Sequence, residues 1–297
     1  MGKNPNIIFL TGDLGFNALE PIKERFPDRF VNVGIAEQHM VGMAAGLALE
    51  GKKVVVYSIA SFSTLRPYEQ IRTDVCYHDL DVKIIGVGGG VNYATHGITH
   101  HTVEDIAIMN VLPNMKVLAP GYSWEATEAT KALMKTKGPA YMRLGLSPGV
   151  DFSKSHFDFS LGRGHVVKEG KDIVLLSTGN ILNIVMEKAR LLEESLGKSV
   201  CVISLPSIKP LDEALILKYA KDAEGIFTIE EHSVIGGLGS LVGALLWAHG
   251  VPRKKFHAFG FPDRFVKDVG DRSHLLQLVG IEPNALAKKV EEIMLMA

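Results

Sequence analysis

Cysteine is nearly missing: Cys76 and Cys201 are the only two in 297 residues. Their wide separation excludes a disulfide scaffold and a cysteine zinc site, and suits a reducing compartment. No charge of one sign dominates, with 32 Lys+Arg against 33 Asp+Glu for a net charge of −1, and no basic block interrupts the chain. Nucleic acid and anionic membrane are therefore not expected as main partners. No apolar run approaches the ~20 residues that span a bilayer. Met1-Gly2-Lys3-Asn4-Pro5 leads straight into the strand-like Ile7-Ile8-Phe9-Leu10, which leaves no room for a signal peptide. A cytoplasmic globular protein is the expectation.

Glycine, by contrast, is plentiful, at 30 residues against a usual share of ~7%, as suits the strand-to-helix turns of an α/β fold. The length calls for two domains at roughly 100–200 residues each. Ile7–Leu10, Lys53–Tyr57, Val82–Val87, Lys116–Leu118 and Ala140–Arg143 read as strands. They alternate with helical patterns over Glu37–Glu50, Pro67–Tyr77, Val103–Asn110 and Trp124–Lys135. Such alternation predicts a parallel sheet covered by helices. Periodicity lapses between Gly145 and Lys171, read as a linker with a hairpin near Gly162–Gly164. It resumes with strands at Ile173–Ser177, Ser199–Ser204, Gly225–Ile229 and Lys255–Phe259. Helices are expected at Ile184–Leu196, Asp212–Ala220, Leu238–Ala248 and Pro283–Met296. The expected division is 1–148, a linker at 149–170, and 171–297. Two consecutive α/β domains do not by themselves name a function.

Three segments carry candidate chemistry. Glu37 opens the helix after Gly34-Ile35-Ala36, and is either a macrodipole-favoured acid or a functional carboxylate. That helix carries Gly42, Ala44, Ala45 and Gly46, small residues that permit close backbone approach. His96, His100 and His101 follow Gly88-Gly89-Gly90 on a loop after a strand, where α/β proteins place ligands. Their spacing is poor for zinc, so acid–base or hydroxyl-binding work is favoured over a metal, beside the plainer reading of surface histidines. Gly236-Gly237-Leu238-Gly239-Ser240 fails the G-x-G-x-x-G dinucleotide pattern, and no acid stands about 20 residues on. Helix-on-sheet packing accounts for these glycines, which weakens the case for a nicotinamide-binding oxidoreductase.

In combination the segments resemble the C-terminal half of transketolase. Thr11-Gly12-Asp13-Leu14-Gly15, Phe26-Pro27-Asp28-Arg29-Phe30, Gly34-Ile35-Ala36-Glu37-Gln38-His39 and Thr99-His100-His101-x-x-Glu104-Asp105 occur in the family's order. Leu112-Pro113-Asn114-Met115 and Glu230-Glu231-His232-Ser233-Val234-Ile235-Gly236-Gly237-Leu238-Gly239 extend the match to nearly the whole chain. The resemblance implies a thiamine diphosphate pyrimidine-binding domain followed by a transketolase C-terminal domain. The family's Gly-Asp-Gly…Asn motif, which holds the diphosphate and its metal, does not occur. The expectation is thus the pyrimidine-domain subunit of a split transketolase, transferring a two-carbon ketol unit between sugar phosphates. An N-terminal partner subunit would carry the diphosphate and a divalent metal, Mg²⁺ or Ca²⁺. Self-association through the small-residue helix would give a two-fold α₂β₂ complex.

By the same resemblance, Glu37 is the carboxylate that hydrogen-bonds the cofactor's pyrimidine nitrogen and favours its imino tautomer. Phe62, Leu65 and Tyr68, at i, i+3 and i+6, match the ring-lining positions and are expected on one helical face. His100 matches the histidine at the donor's hydroxyl. His96 replaces the family's acidic residue that reads sugar configuration. Arg143 stands where a sugar-phosphate arginine is found. Alternatives within the superfamily are a 2-oxo-acid dehydrogenase β subunit and a deoxyxylulose-phosphate synthase-like enzyme; a non-catalytic regulatory subunit is a third.

Overall fold

Short β-branched runs become buried strands, and each glycine-punctuated turn feeds a helix that returns over the sheet. The computed structural model describes residues 1–146, 158–251 and 255–296. In the first half the strands are β1 (Ile7–Thr11), β2 (Phe30–Asn32), β3 (Lys53–Ile59), β4 (Val82–Val87), β5 (Lys116–Leu118) and β6 (Ala140–Leu144). The second half adds β7 (His165–Lys168), β8 (Ile173–Thr178), β9 (Val200–Ser204), β10 (Ser207–Lys209), β11 (Gly225–Ser233) and β12 (Lys255–Phe261). Helices α1 (Glu20–Arg25), α2 (Glu37–Leu49), α3 (Ala60–Thr64), α4 (Tyr68–Gln70), α5 (Asp105–Asn110) and α6 (Ser123–Lys135) belong to the first half. The second carries α7 (Leu182–Leu196), α8 (Glu213–Asp222), α9 (Leu238–Ala248), α10 (Arg272–Leu278) and α11 (Pro283–Leu295).

One sheet has the order β10-β5-β6-β4-β3-β1-β2 and the other β12-β11-β8-β9-β7. Among the described strands, all pairings are parallel except β10 against β5 and β7 against β9. Both antiparallel strands depart from the sequence reading. β7 lies inside the stretch expected as linker; its approach is a turn closed by Arg163 N–H on the Ser160 carbonyl at 3.1 Å, not a hairpin. β10 crosses from the second half to complete the first sheet, with Ser207 opposite Leu118. The long helix expected over Pro67–Tyr77 is shorter in its α-helical part. α4 gives way to wider π-type turns over Ile71–Cys76.

The halves share an apolar core. Ile106, Met109 and Val117 of the first join Leu205, Ile208 and Leu238 of the second in one buried cluster. Polar groups lock the same joint, chiefly through the run Glu230-Glu231-His232 on β11. Glu230 accepts the Leu238 and Gly239 N–H groups at the start of α9, at 2.7 and 2.8 Å. Glu231 accepts the Val91 N–H from the first half at 2.8 Å and pairs with Arg272, whose Nε lies 3.0 Å away. His232 Nε2 accepts the Ala107 N–H of α5 at 3.2 Å. The glycines after this run are packing glycines, as read from the sequence: a Cβ on Gly237 would stand 2.2 Å from the Glu230 carboxylate.

Candidate active site

The parallel strands β1 to β4 end on one edge of the first sheet, and the candidate residues leave from that edge. This is where open α/β sheets bind ligands. β2 is followed by Gly34, whose positive φ of 75° lets the chain turn sharply into α2. Glu37 is the first residue of that helix and only 3% exposed. Gly12 at the end of β1 packs close beside it: a Cβ there would touch the Gly34 carbonyl at 3.4 Å and Glu37 Oε1 at 3.8 Å. β3 runs directly into α3, which carries Phe62. After β4 comes the loop bearing His96 and His100.

Phe62, His100 and His96 form one cluster. The Phe62 and His100 rings are 5.0 Å apart edge to face, and His100 and His96 lie 4.8 Å apart. Tyr93 meets both imidazoles, at 5.7 Å from His96 and 5.8 Å from His100. The loop is anchored to α3 by Ser61 Oγ, which donates to the Thr99 carbonyl at 3.1 Å. Thr99 Oγ1 lies 2.9 Å from His100 Nδ1 and fixes the ring's orientation. Burial, and then the charges of His96, His101 and Arg66, hold His100 below the ordinary imidazole range. His100 is thus neutral at neutral pH, with a ring nitrogen able to accept a proton. His101 turns away into the protein, its Nε2 at 3.2 Å from the Ala94 carbonyl. The three histidines therefore do not converge, and no metal-holding cluster occurs among the described residues.

Three expectations change. Phe62, Leu65 and Tyr68 do not share one helical face, because α3 ends at Thr64 and α4 begins only at Tyr68. Pro67 between them has no N–H to continue the helix and disfavours helical backbone before it. Leu65 is 48% exposed, and Tyr68 packs inward with its hydroxyl donating to the Ile108 carbonyl at 2.8 Å. Arg143 is 7% exposed and turned into the joint. Its Nη2 donates to the carbonyls of Thr102 and Glu231 at 3.1 and 2.6 Å, and its Nε lies 3.6 Å from Asp105. Asp105 in turn accepts the Tyr141 hydroxyl at 2.5 Å. These contacts tie the two halves of the chain together. On α2, Ala45 is buried in this chain's own core, whereas a Cβ on Gly42 or Gly46 would meet nothing within 4 Å.

Arg66 joins the site without having been expected there. Its Nη1 donates to Glu37 Oε2 at 2.9 Å, and its guanidinium carbon lies 4.0 Å from the Phe62 ring centre. Only its position four residues after Phe62, one helical turn on, hints at proximity.

A buried acid, an aromatic face and paired imidazoles thus gather at the C-terminal edge of a parallel sheet, as in enzymes of the α/β class. The transketolase pyrimidine-binding domain model matches residues 1–146, and the transketolase C-terminal domain model matches residues 162–286, which makes this a transferase. The chain belongs to the transketolase family.

A solved split-gene transketolase, in an inactive β4 tetramer, is 35% identical with a TM-score of 0.85; the match covers 99% of this chain and 93% of that one. One of the subunits of the apulose-4-phosphate transketolase of Actinobacillus succinogenes is 34% identical over 90% of this chain and 86% of its own length. The 1-deoxy-D-xylulose-5-phosphate synthase of Symbiobacterium thermophilum is also 34% identical, over 99% of this chain but 45% of its own length. No helix among the described residues is long and apolar enough to cross a membrane.

Proposed function

We propose that this chain is the pyrimidine-domain subunit of a split transketolase that moves a two-carbon ketol unit between sugar phosphates. The observation that carries the reading is the buried carboxylate of Glu37 opening beside the Phe62–His100 pair on one sheet edge. Similarity to a split-gene transketolase and to an apulose-4-phosphate transketolase subunit, over most of their lengths, supports it over the synthase reading. The acid and the Phe62 face fit an aminopyrimidine ring: an acceptor for its edge and an apolar surface for its plane.

Thiamine diphosphate, when bound, supplies the carbanion chemistry of ketol transfer. Glu37 holds and polarises the pyrimidine edge through a charge-assisted hydrogen bond in a desolvated cleft, where such bonds are strong. His100, neutral and oriented by Thr99, accepts or returns a proton at a sugar hydroxyl. His96, exposed at the outer end of the cluster, donates to or accepts from the next hydroxyl along. The diphosphate and its divalent metal, Mg²⁺ or Ca²⁺, are held by a separate subunit in the cytoplasm. Two copies of this chain meet through the open Gly42–Gly46 face of α2 in an α₂β₂ assembly.

The test is reconstitution. The chain alone should show no ketol transfer, and mixing with a diphosphate-binding transketolase subunit should restore it together with a heavier species in light scattering. Robust transfer by the single chain, or no transfer by any such mixture, would sink the reading.

A further inference from the structure

Glu37 is buried, yet its carboxylate is not left alone. Arg66 reaches it from the turn between α3 and α4, and the same guanidinium lies over Phe62, its central carbon 4.0 Å from the ring centre. The Arg66 side chain remains 46% exposed at its outer side. A planar group carrying N–H donors is thus seated on Phe62 and bonded to Glu37. An aminopyrimidine needs those two contacts: an aromatic surface under its plane, and the Glu37 carboxylate at its edge. One face of Phe62 cannot carry two planar groups together, and Glu37 Oε2 is not open to the ring while Arg66 holds it.

We propose that Arg66 occupies the pyrimidine seat in the cofactor-free chain and must swing out before the cofactor ring can enter. It is a positioning residue. Until the ring arrives it keeps a buried carboxylate paired, which would otherwise be costly, and it holds Glu37 in the orientation the ring will use. Its exposed outer side gives it a short path into water when displaced. Guanidinium is suited to the part and ammonium is not, because only the former offers a stacking plane with donors on its edge. The inference rests on reading Glu37 and Phe62 as pyrimidine contacts.

The competition is measurable without reference to turnover. In the complex with a diphosphate-binding subunit, thiamine diphosphate with Mg²⁺ is titrated by calorimetry into wild type and Arg66→Met. Methionine fills the space but has neither charge nor donor. If the seat is blocked most of the time, opening it should tighten apparent binding by about tenfold, in proportion to the fraction freed. Arg66→Lys, which keeps the charge without the plane, should fall between the two and serves if the methionine variant folds poorly. The free Arg66→Met chain should also melt at lower temperature, since Glu37 loses its partner. Unchanged or weaker cofactor binding in both variants would overturn the proposal. Phe62→Ala and Glu37→Gln separate it from the reading beneath it. If they weaken binding while the Arg66 variants do nothing, only the role of Arg66 fails. If they too leave affinity untouched, the pyrimidine site itself is misassigned.

Discussion

Glu230 and His232 stand two residues apart on β11, so both side chains face the same side of the sheet, fully buried at the joint between the halves. Burial pushes the Glu230 carboxyl up to about 7, against the opposing pull of the Gly239 and Leu238 N–H groups and Arg143. Burial also holds His232 down to about 4, against the pull of Asp105. The signs then follow from linkage. An acid with a raised folded pKa contributes stability that is complete below its unfolded value near 4.5 and is lost as pH rises through 7. A base with a depressed folded pKa contributes stability that is complete above its unfolded value near 6.5 and is lost as pH falls through 4. Each displacement is worth roughly 3 kcal/mol, at about 1.4 kcal/mol per pH unit.

The two slopes oppose each other over nearly the same window, so the wild-type pair contributes little net pH dependence. Single substitutions should unmask them. Relative to wild type, Glu230→Gln should gain roughly 3 kcal/mol between about pH 4.5 and 7, on top of a constant loss of about 1–3 kcal/mol where its NH₂ abuts a helix N–H. His232→Gln should change the other way, losing roughly 3 kcal/mol relative to wild type between about pH 4 and 6.5. Urea unfolding followed by circular dichroism across that pH range supplies the data. Taking variant minus wild type at each pH cancels every other titrating group. If either variant tracks wild type in parallel across the window, the argument for that residue is refuted.

Glu37→Gln should fold and assemble normally yet lose about a hundredfold or more in rate, the usual consequence of removing a preorganised charged contact; steady-state kinetics of the assembled complex check it. Arg143→Met should lower the chain's unfolding free energy by about 3 kcal/mol, since it removes the cation beside buried Asp105 and one hydrogen bond from each of two carbonyls, while leaving the KM for sugar phosphates unchanged. A rise in that KM with stability intact would restore the phosphate role. Gly42→Leu should block self-association while the chain keeps its melting temperature. Ala45→Leu should destabilise the chain itself by about 1–3 kcal/mol through overpacking. Light scattering and thermal melts distinguish the pair.

The parallel sheets are legible because buried strands announce themselves as apolar runs between glycine turns; β4 and β5 have the bounds their sequences suggest. Glu37 is legible as a helix-opening acid, and its burial is not, because that depends on β1 and on Arg66 far along the chain. β7 and β10 give no such signal, because each is an edge strand outside the strand–helix alternation, held by antiparallel pairing with a distant strand. Pro67 is visible but reads equally well as a helix start, which hides the break that separates Phe62 from Tyr68. Arg143 is legible as a cation suited to phosphate, and its place in the joint is not, because Thr102 and Glu231 meet it only through the fold.

β10 has a further consequence for how this polypeptide can be cut. It lies along the open side of β5, where the Ala119 N–H donates to the Pro206 carbonyl at 2.9 Å, and Lys209 reaches the Asn110 and Leu112 carbonyls at 2.7 Å each. A fragment ending near residue 146 would leave that border of the sheet bare. Unpaired strand edges recruit other molecules, so such a fragment invites self-aggregation. The pyrimidine domain thus depends on a strand encoded beyond β9, well inside the following domain. A break in the polypeptide between β6 and β10 would turn a covered border of the sheet into a sticky one.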